Sequence, residues 1–202
     1  MKKGIIALPV AGLLYLGGGL LRGAYVLPTP TTATAFAQWA TRPLCTIGYA
    51  VLICAAVCSI FGYFALASRL ASSLSSTAAV LSIVGVAFLV ALFGSTITML
   101  PALGQAALDG NASALAIAEH SLSNTTLRVI GGMISLNIFG HLLFAVSMWR
   151  TDGMPKVAAP LFVLAPIGMC MPFVYPIELT GFVLYLVSTI MIARAVSVSE
   201  SR

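Results

Sequence analysis

Two strong hydrogen-bonding side chains, Asn137 and His141, lie one helical turn apart in the apolar stretch NIFGHLLFAVSMWR of residues 137–150. Residues four apart share one face of a helix, so both side chains point the same way. Polar groups inside a membrane must find partners, because leaving them unpaired is costly. The pair therefore either joins helices by hydrogen bonds or contributes polar groups to a ligand cavity or a proton-linked site.

Partners for this pair are expected on other apolar segments. Arg128 and Arg150 bracket its own segment, so Asn137 and His141 fall near the middle of a span. Hydroxyl groups are predicted nearby on the third segment, at Ser95, Thr96 and Thr98, and on the first two, at Tyr15 and Tyr49. The candidate ligand-binding set is Asn137, His141, Ser95 and Thr98.

A second candidate set is charged and consists of Arg22, Glu119, His120 and Glu178, all predicted at one membrane face. Arg22 and Glu178 should lie at similar depth, which favours a salt bridge between the first helix and the last hairpin. Glu119 and His120 are adjacent and diverge on a helix, and the spacings of a helical metal site are missing. We predict no metal site here.

Haem and the common catalytic motifs find little support in the sequence. The two histidines, His120 and His141, are predicted about one bilayer leaflet apart, which disfavours a bis-histidine haem. The chain has no G-x-S-x-G, Walker loop, H-E-x-x-H or C-x-x-C motif, so the usual hydrolase, NTPase, zinc-protease and thiol-redox signatures are missing. Its four cysteines lie in apolar runs and are interpreted as small buried residues. We predict no catalytic residues and no cofactor.

The composition indicates that most of this chain lies in lipid rather than in water. The 202-residue chain is 60% hydrophobic and only 7% charged, whereas soluble domains average about 25% charged residues. Its net charge of +5 comes from scattered basic residues, which suits anchoring at a membrane face rather than nucleic-acid binding. The sequence therefore predicts an integral membrane protein.

The apolar segments predict an all-α fold, a single transmembrane domain over residues 1–202 with six helices. About 20 apolar residues cross a hydrocarbon core. The segments that meet this criterion are residues 4–26, 44–67, 78–100, 128–149, 157–175 and 177–195. Four prolines interrupt the fifth, which we expect to be short and kinked.

The distribution of basic residues predicts the orientation. With the N-terminus inside, seven of the ten basic residues face the cytoplasm, and Arg22, Arg42 and Arg128 face outward. This bias predicts a cytoplasmic-membrane protein with both termini in the cytoplasm.

The longer connections, residues 27–43 and 101–127, then lie outside and are predicted to carry short interfacial helices. In the first of these loops, Phe36 and Trp39 share one side of such a helix. Together the two loops are expected to form a lid over the outer end of the bundle.

Three stretches carry a resemblance to a known class. They are the Ala/Phe/Trp helix before Arg42 and Pro43, the run MLPALGQAALDG at 99–110, and WRTDGMPKVAAPLFVLAPIG at 149–168. In this order the chain resembles uncharacterised six-helix bacterial membrane proteins of the domain-of-unknown-function class. The resemblance implies a six-helix bundle and no established activity.

Three classes of function stay open. The missing catalytic motifs favour a non-enzymatic protein, either an accessory subunit or a bundle that binds a small apolar ligand or lipid. A small transporter or channel would need a continuous polar path past Asn137 and His141. A membrane haem or quinone redox protein, or another enzyme, would use His141. Small-residue faces at Gly19 and Gly23 and at 131–135 leave open a homo-oligomer or a partner in a membrane complex.

Overall fold

The computed structural model describes residues 2–24, 26, 31–111, 113–114, 116–118, 125–170 and 174–199, so Glu119 and His120 lie outside the described residues. Every element assigned in these ranges is a helix. The eight helices with described bounds are α1 (Lys2–Ile5), α2 (Ala7–Arg22), α3 (Ala33–Ala40), α4 (Pro43–Leu70), α5 (Ser73–Leu108), α6 (Thr125–Arg150), α7 (Ala158–Met169) and α8 (Tyr175–Ser199).

Three segments of the described chain are long and apolar enough to cross a membrane: Pro43–Leu70, Ser73–Leu108 and Tyr175–Val198. The apolar helices α2 and α7 have 16 and 12 residues. At 1.5 Å per residue they extend about 24 and 18 Å, less than a hydrocarbon core of about 30 Å. The structure thus supports an all-helical membrane protein, and the count of six spans stays a prediction.

The third apolar segment forms a much longer helix than predicted. Helix α5 begins after Ser72, whose hydroxyl accepts from the Ser75 N–H at 3.0 Å while Ser75 Oγ accepts from the Ser72 N–H at 3.2 Å. It then continues past the predicted end at residue 100, through Pro101, to Leu108. The first part of the predicted 101–127 loop is therefore helix. Gly104 in this extension packs against Ala40 at the end of α3.

Two other apolar segments end earlier than predicted. Helix α2 stops at Gly23, where φ is 73°, a left-handed value that favours glycine, and the Gly23 N–H donates to the Gly19 carbonyl at 3.1 Å. Helix α7 contains Pro166 and ends at Met169, whereas the span was predicted to reach residue 175. Short helices result at both places.

Six of the helices form a closed ring. Each contacts the next in the order α2, α4, α5, α6, α7 and α8, and α8 packs back against α2. Helix α1 packs on α4, and α3 packs on α5 at the end of the bundle where α2 terminates. Many large apolar side chains are exposed on the outside of the ring, such as those of Leu13, Phe61 and Val183. The inside of the ring is where polar side chains meet.

Small residues allow the ring helices to approach closely. A Cβ added at Gly19 would lie 2.4 Å from the Phe182 ring of α8, and one at Gly85 would lie 2.5 Å from the Asn137 nitrogen of α6. Glycines at such positions let helix backbones come together. Gly19, predicted to lie in a helix-packing face, thus packs within the same chain.

Candidate functional site

His141 lies at the centre of the ring and is fully buried. Its Nδ1 lies 2.7 Å from the Asn137 carbonyl oxygen, one turn earlier in α6. Its Nε2 lies 3.2 Å from the hydroxyl of Tyr63 in α4. A carbonyl only accepts, so Nδ1 donates its proton there, and Nε2 accepts from the Tyr63 hydroxyl. Both ring nitrogens are therefore satisfied by the neutral imidazole.

The hydrogen bonds continue from Tyr63 to α8. The Tyr185 hydroxyl lies 3.4 Å from the Tyr63 oxygen and 3.2 Å from Ser59 Oγ, and Ser59 donates to the Ala55 carbonyl at 3.0 Å. Three helices, α4, α6 and α8, are thus joined by side-chain hydrogen bonds. We call the set His141, Tyr63, Tyr185 and Ser59 the His141 hub.

Aromatic rings enclose the hub. The His141 ring centroid lies 4.3 Å from that of Phe162 in α7, and the Tyr185 ring lies 5.5 Å from that of Tyr15 in α2. Phe144 packs against both Tyr63 and Phe162. Five helices of the ring therefore contribute to a centre of close-packed side chains, which matches a structural use of His141.

Asn137 lies where α6 crosses α5. Asn137 is 5% exposed and packs against Gly85, while Gly140, one turn later, packs against Ser82. Asn137 Oδ1 and Ser82 Oγ are buried and have no hydrogen-bond partner within the described residues. Asn137 therefore supports His141 through its backbone carbonyl, and its amide oxygen contributes no bond.

Ser95 and Thr98, predicted to complete a ligand set with Asn137 and His141, do not join it. Both are exposed, and their hydroxyls donate to the Leu92 and Ser95 carbonyls of their own helix. Ser95 is ten residues beyond Gly85, which is about 15 Å along α5. The α5 residues at the level of Asn137 and His141 are Ser82 and Gly85.

Arg22 and Glu178 form a buried salt bridge at the end of α2, as the sequence predicted. Their side chains are 2% and 4% exposed, and an Arg22 Nη donates to Glu178 Oε2. Arg22 also donates from Nε to the Gly23 carbonyl at 3.2 Å and lies 5.7 Å over the Tyr49 ring. Glu119 and His120, predicted in the same cluster, lie outside the described residues.

An open cavity of about 470 Å³ lies beside this salt bridge, between the end of α2, helix α3 and the start of α4. We call it the Arg42 cleft. Its lining includes Leu20, Leu21, Gln38, Trp39, Arg42 and Leu44. Trp39 is buried at its base, where the indole Nε1 donates to the Arg22 carbonyl at 3.0 Å.

The cleft has one charged side chain without an ion pair to a described carboxylate, and its rim is apolar. Arg42 is exposed, and no carboxylate of the described residues pairs with it. The Gln38 side chain is also exposed, while Leu20 and Leu44 at the rim are 57% and 55% exposed. No local sequence pattern predicts this cavity, because its lining comes from three separate segments. The available signal was Arg42, a basic residue with no acid near it in sequence.

Metal binding has no support within the described residues, where no group of three or more histidine, cysteine, aspartate or glutamate side chains could hold an ion. Comparison of the chain with protein-family models, with curated proteins and with solved structures gave no match. The assignment of a site therefore depends on the geometry of the His141 hub and the Arg42 cleft.

Proposed function

We propose that this chain is a non-enzymatic, six-span protein of the cytoplasmic membrane that binds a membrane lipid in the Arg42 cleft. The cavity of about 470 Å³ carries this proposal. Ligand pockets typically have volumes of about 300–1,000 Å³, and an arginine guanidinium binds the phosphate of a head group through charge-assisted hydrogen bonds. The cleft has a volume in this range and an exposed arginine.

The position of the cleft supports a lipid rather than a soluble ligand. Its rim residues Leu20, Leu21 and Leu44 are exposed on the apolar outside of the ring, where acyl chains pack against a membrane protein. Trp39, at its base, belongs to the residue type enriched at the membrane interface. A head group in the cleft would therefore keep its acyl chains along α2 and α4.

The packing of the His141 hub makes it a weaker candidate site. Both imidazole nitrogens are bonded, and the rings of Tyr63, Phe162 and Tyr185 pack around the imidazole. A transport path, a haem or a quinone at His141 would require these rings to separate. We propose that His141 holds helices together, by bonds worth about 0.6 kcal/mol each in membrane proteins.

The orientation follows from the basic residues. We propose cytoplasmic termini and an outward-facing Arg42 cleft, because most of the basic residues then lie inside. In a bacterial host, a fluorescent protein fused after Arg202 should fold and fluoresce, and alkaline phosphatase inserted at Asn111 should be active. The reverse pattern would overturn the orientation and leave lipid binding to be judged separately.

The two tryptophans allow a direct test of lipid binding. Trp39 lines the cleft, whereas Trp149 lies near the C-terminal end of α6, outside the lining of the cleft, and is 57% exposed. Trp149→Phe leaves Trp39 as the only reporter. We expect saturable quenching of its fluorescence by phospholipids that carry a doxyl group on the acyl chain close to the glycerol, titrated in detergent micelles.

Matched substitutions locate the binding event. Added to Trp149→Phe, Ala35→Phe fills the lining of the cleft and should abolish the saturable component. Thr34→Phe, on the exposed side of the same helix and outside the lining, should leave it unchanged. Quenching that rises without saturation, equally in both variants, would mean that the lipid only partitions into the micelle, and the proposal would be wrong.

A further inference from the structure

We propose that the Arg42 cleft selects phospholipids with a net negative head group over zwitterionic ones. This inference depends on the lipid-binding function proposed above and adds the chemical class of the ligand. It follows from the charge balance of the cleft, which differs from that of the salt bridge beside it.

The two arginines that line the cleft are in different electrostatic states. Glu178 neutralises Arg22, and both side chains are buried. Arg42 is exposed, with no ion pair to any described carboxylate. The positive charge available to a ligand is therefore that of Arg42, one residue before the first turn of the 28-residue helix α4, whose N-terminal dipole has the same sign.

The lining offers nothing to balance a positive group on the ligand. None of the described lining residues is acidic. A choline or ethanolamine head group brings an ammonium together with its phosphate, and this ammonium would meet Arg42 without a carboxylate to receive it. A phosphodiester with an uncharged alcohol avoids that repulsion, and the guanidinium can bind its two free oxygens with two parallel N–H donors.

Gln38 is placed to form hydrogen bonds with the uncharged part of the head group. Its side chain makes no hydrogen bond within the described residues and lines the same cavity as Arg42. An amide donates and accepts, which suits the hydroxyl groups of a glycerol-type head group. The leucine rim then distinguishes a lipid from a free phosphate, because only a lipid has chains to place along Leu20 and Leu44.

The test compares two labelled lipids on the Trp149→Phe protein. Phosphatidylglycerol and phosphatidylcholine carry the same acyl-chain doxyl group, so that only the head group differs. An ion pair with an exposed arginine contributes up to about 1 kcal/mol, so we expect phosphatidylglycerol to bind up to about fivefold more tightly. Arg42→Gln should remove this preference, and Arg42→Lys should keep most of it.

A control variant separates the cleft from the overall charge of the protein. Lys156 is exposed in the connection between α6 and α7, outside the lining of the cleft. Lys156→Gln changes the net charge by the same amount as Arg42→Gln and should preserve the preference. Equal losses from both variants would show that the preference comes from general attraction, and the inference would be overturned.

The remaining outcomes distinguish failure of this inference from failure of the proposed function. Saturable binding of both lipids with equal affinity, blocked by Ala35→Phe, contradicts anionic selection but supports lipid binding. No saturable binding of either lipid contradicts both. Full displacement of labelled phosphatidylglycerol by millimolar inorganic phosphate would identify the ligand as a free phosphate and overturn the lipid assignment.

Discussion

The His141 hub and the Arg42 cleft are both polar regions in an apolar protein, but they differ in whether their polar side chains are buried and bonded. In the hub, each nitrogen of a buried imidazole has a partner and aromatic rings close the space around it. In the cleft, an arginine and a glutamine are exposed beside about 470 Å³ of open volume. The polar groups of the hub bond to one another, whereas those of the cleft are accessible to a ligand.

This contrast shows why a histidine in a membrane segment is a poor guide to function by itself. The residue type suggests chemistry, but satisfied bonds and close packing leave nothing for a substrate to contact. The Arg22 and Glu178 pair shows the same principle beside the cleft, since two charges are neutralised by each other. The free group is Arg42, which a sequence search for catalytic residues passes over.

We expect the greatest loss of stability when the Arg22–Glu178 salt bridge, which lies between the His141 hub and the Arg42 cleft, is broken. Glu178→Ala leaves the Arg22 charge buried and uncompensated, which should lower the free energy of unfolding by about 3–5 kcal/mol. SDS titration in mixed micelles measures this change. The double variant Arg22→Met with Glu178→Met should lose much less, because no buried charge remains; an equal or greater loss would contradict this explanation.

The second prediction concerns the imidazole of the hub. His141→Ala removes a fully buried ring and leaves the Tyr63 hydroxyl without its acceptor, so we expect a loss of about 3 kcal/mol in the free energy of unfolding. The control is Phe139→Ala, a ring on the exposed face of the same helix, which should change stability little. Lipid affinity should be unchanged in the folded His141→Ala protein. A lost lipid site would show that the hub and the cleft are not separate.

The third prediction tests the close approach of α5 and α6 that positions Asn137 and His141. At Gly140→Ala the new Cβ would lie 2.2 Å from Ser82 Oγ and 2.7 Å from the Ser82 nitrogen. Such overpacking should cost about 1–3 kcal/mol of unfolding free energy in the same SDS titration. Gly94→Ala on α5 meets no atom within 4 Å and should be neutral or stabilising. Equal effects would mean that the crossing is looser than the structure shows.

The smallest expected effect is the loss of one hydroxyl. Tyr63→Phe removes the donor to His141 and the more distant of the two oxygens near the Tyr185 hydroxyl but keeps the ring, so the free energy of unfolding should fall by about 1 kcal/mol. Ser68→Ala removes an exposed hydroxyl on the same helix that bonds to its own backbone, and should have no measurable effect. A Tyr63→Phe protein as stable as Ser68→Ala would mean that the hub contributes packing alone.

Local patterns in the sequence predicted some of these contacts. The four-residue spacing of Asn137 and His141 indicated a shared buried face, and the depths of Arg22 and Glu178 indicated their ion pair. Phe36 and Trp39 were predicted to share one side of a short helix, and both are buried on α3. Each of these inferences required only helical periodicity and an estimate of depth.

The contacts that the sequence did not predict depend on which helices become neighbours. The hub partners Tyr63 and Tyr185 are separated from His141 by 78 and 44 positions, and nothing in one sequence pairs α4 and α8 with α6. Ser95 and Thr98 are predicted only as possible hydroxyl partners on the third apolar segment, and the sequence does not give the level at which that helix crosses α6. The crossing lies at Ser82 and Gly85, so Ser95 and Thr98 are ten and thirteen residues beyond Gly85.

A structure of the protein in nanodiscs that contain phosphatidylglycerol, determined with a bound antibody fragment as a fiducial, would show directly whether the cleft or the hub binds a ligand. We expect lipid density in the Arg42 cleft, with its phosphate at the Arg42 guanidinium and its chains along Leu20 and Leu44. We also expect close packing of Tyr63, Phe162 and Tyr185 around His141. Ligand density beside His141, with none in the cleft, would contradict the assignment of a structural hub and a binding cleft.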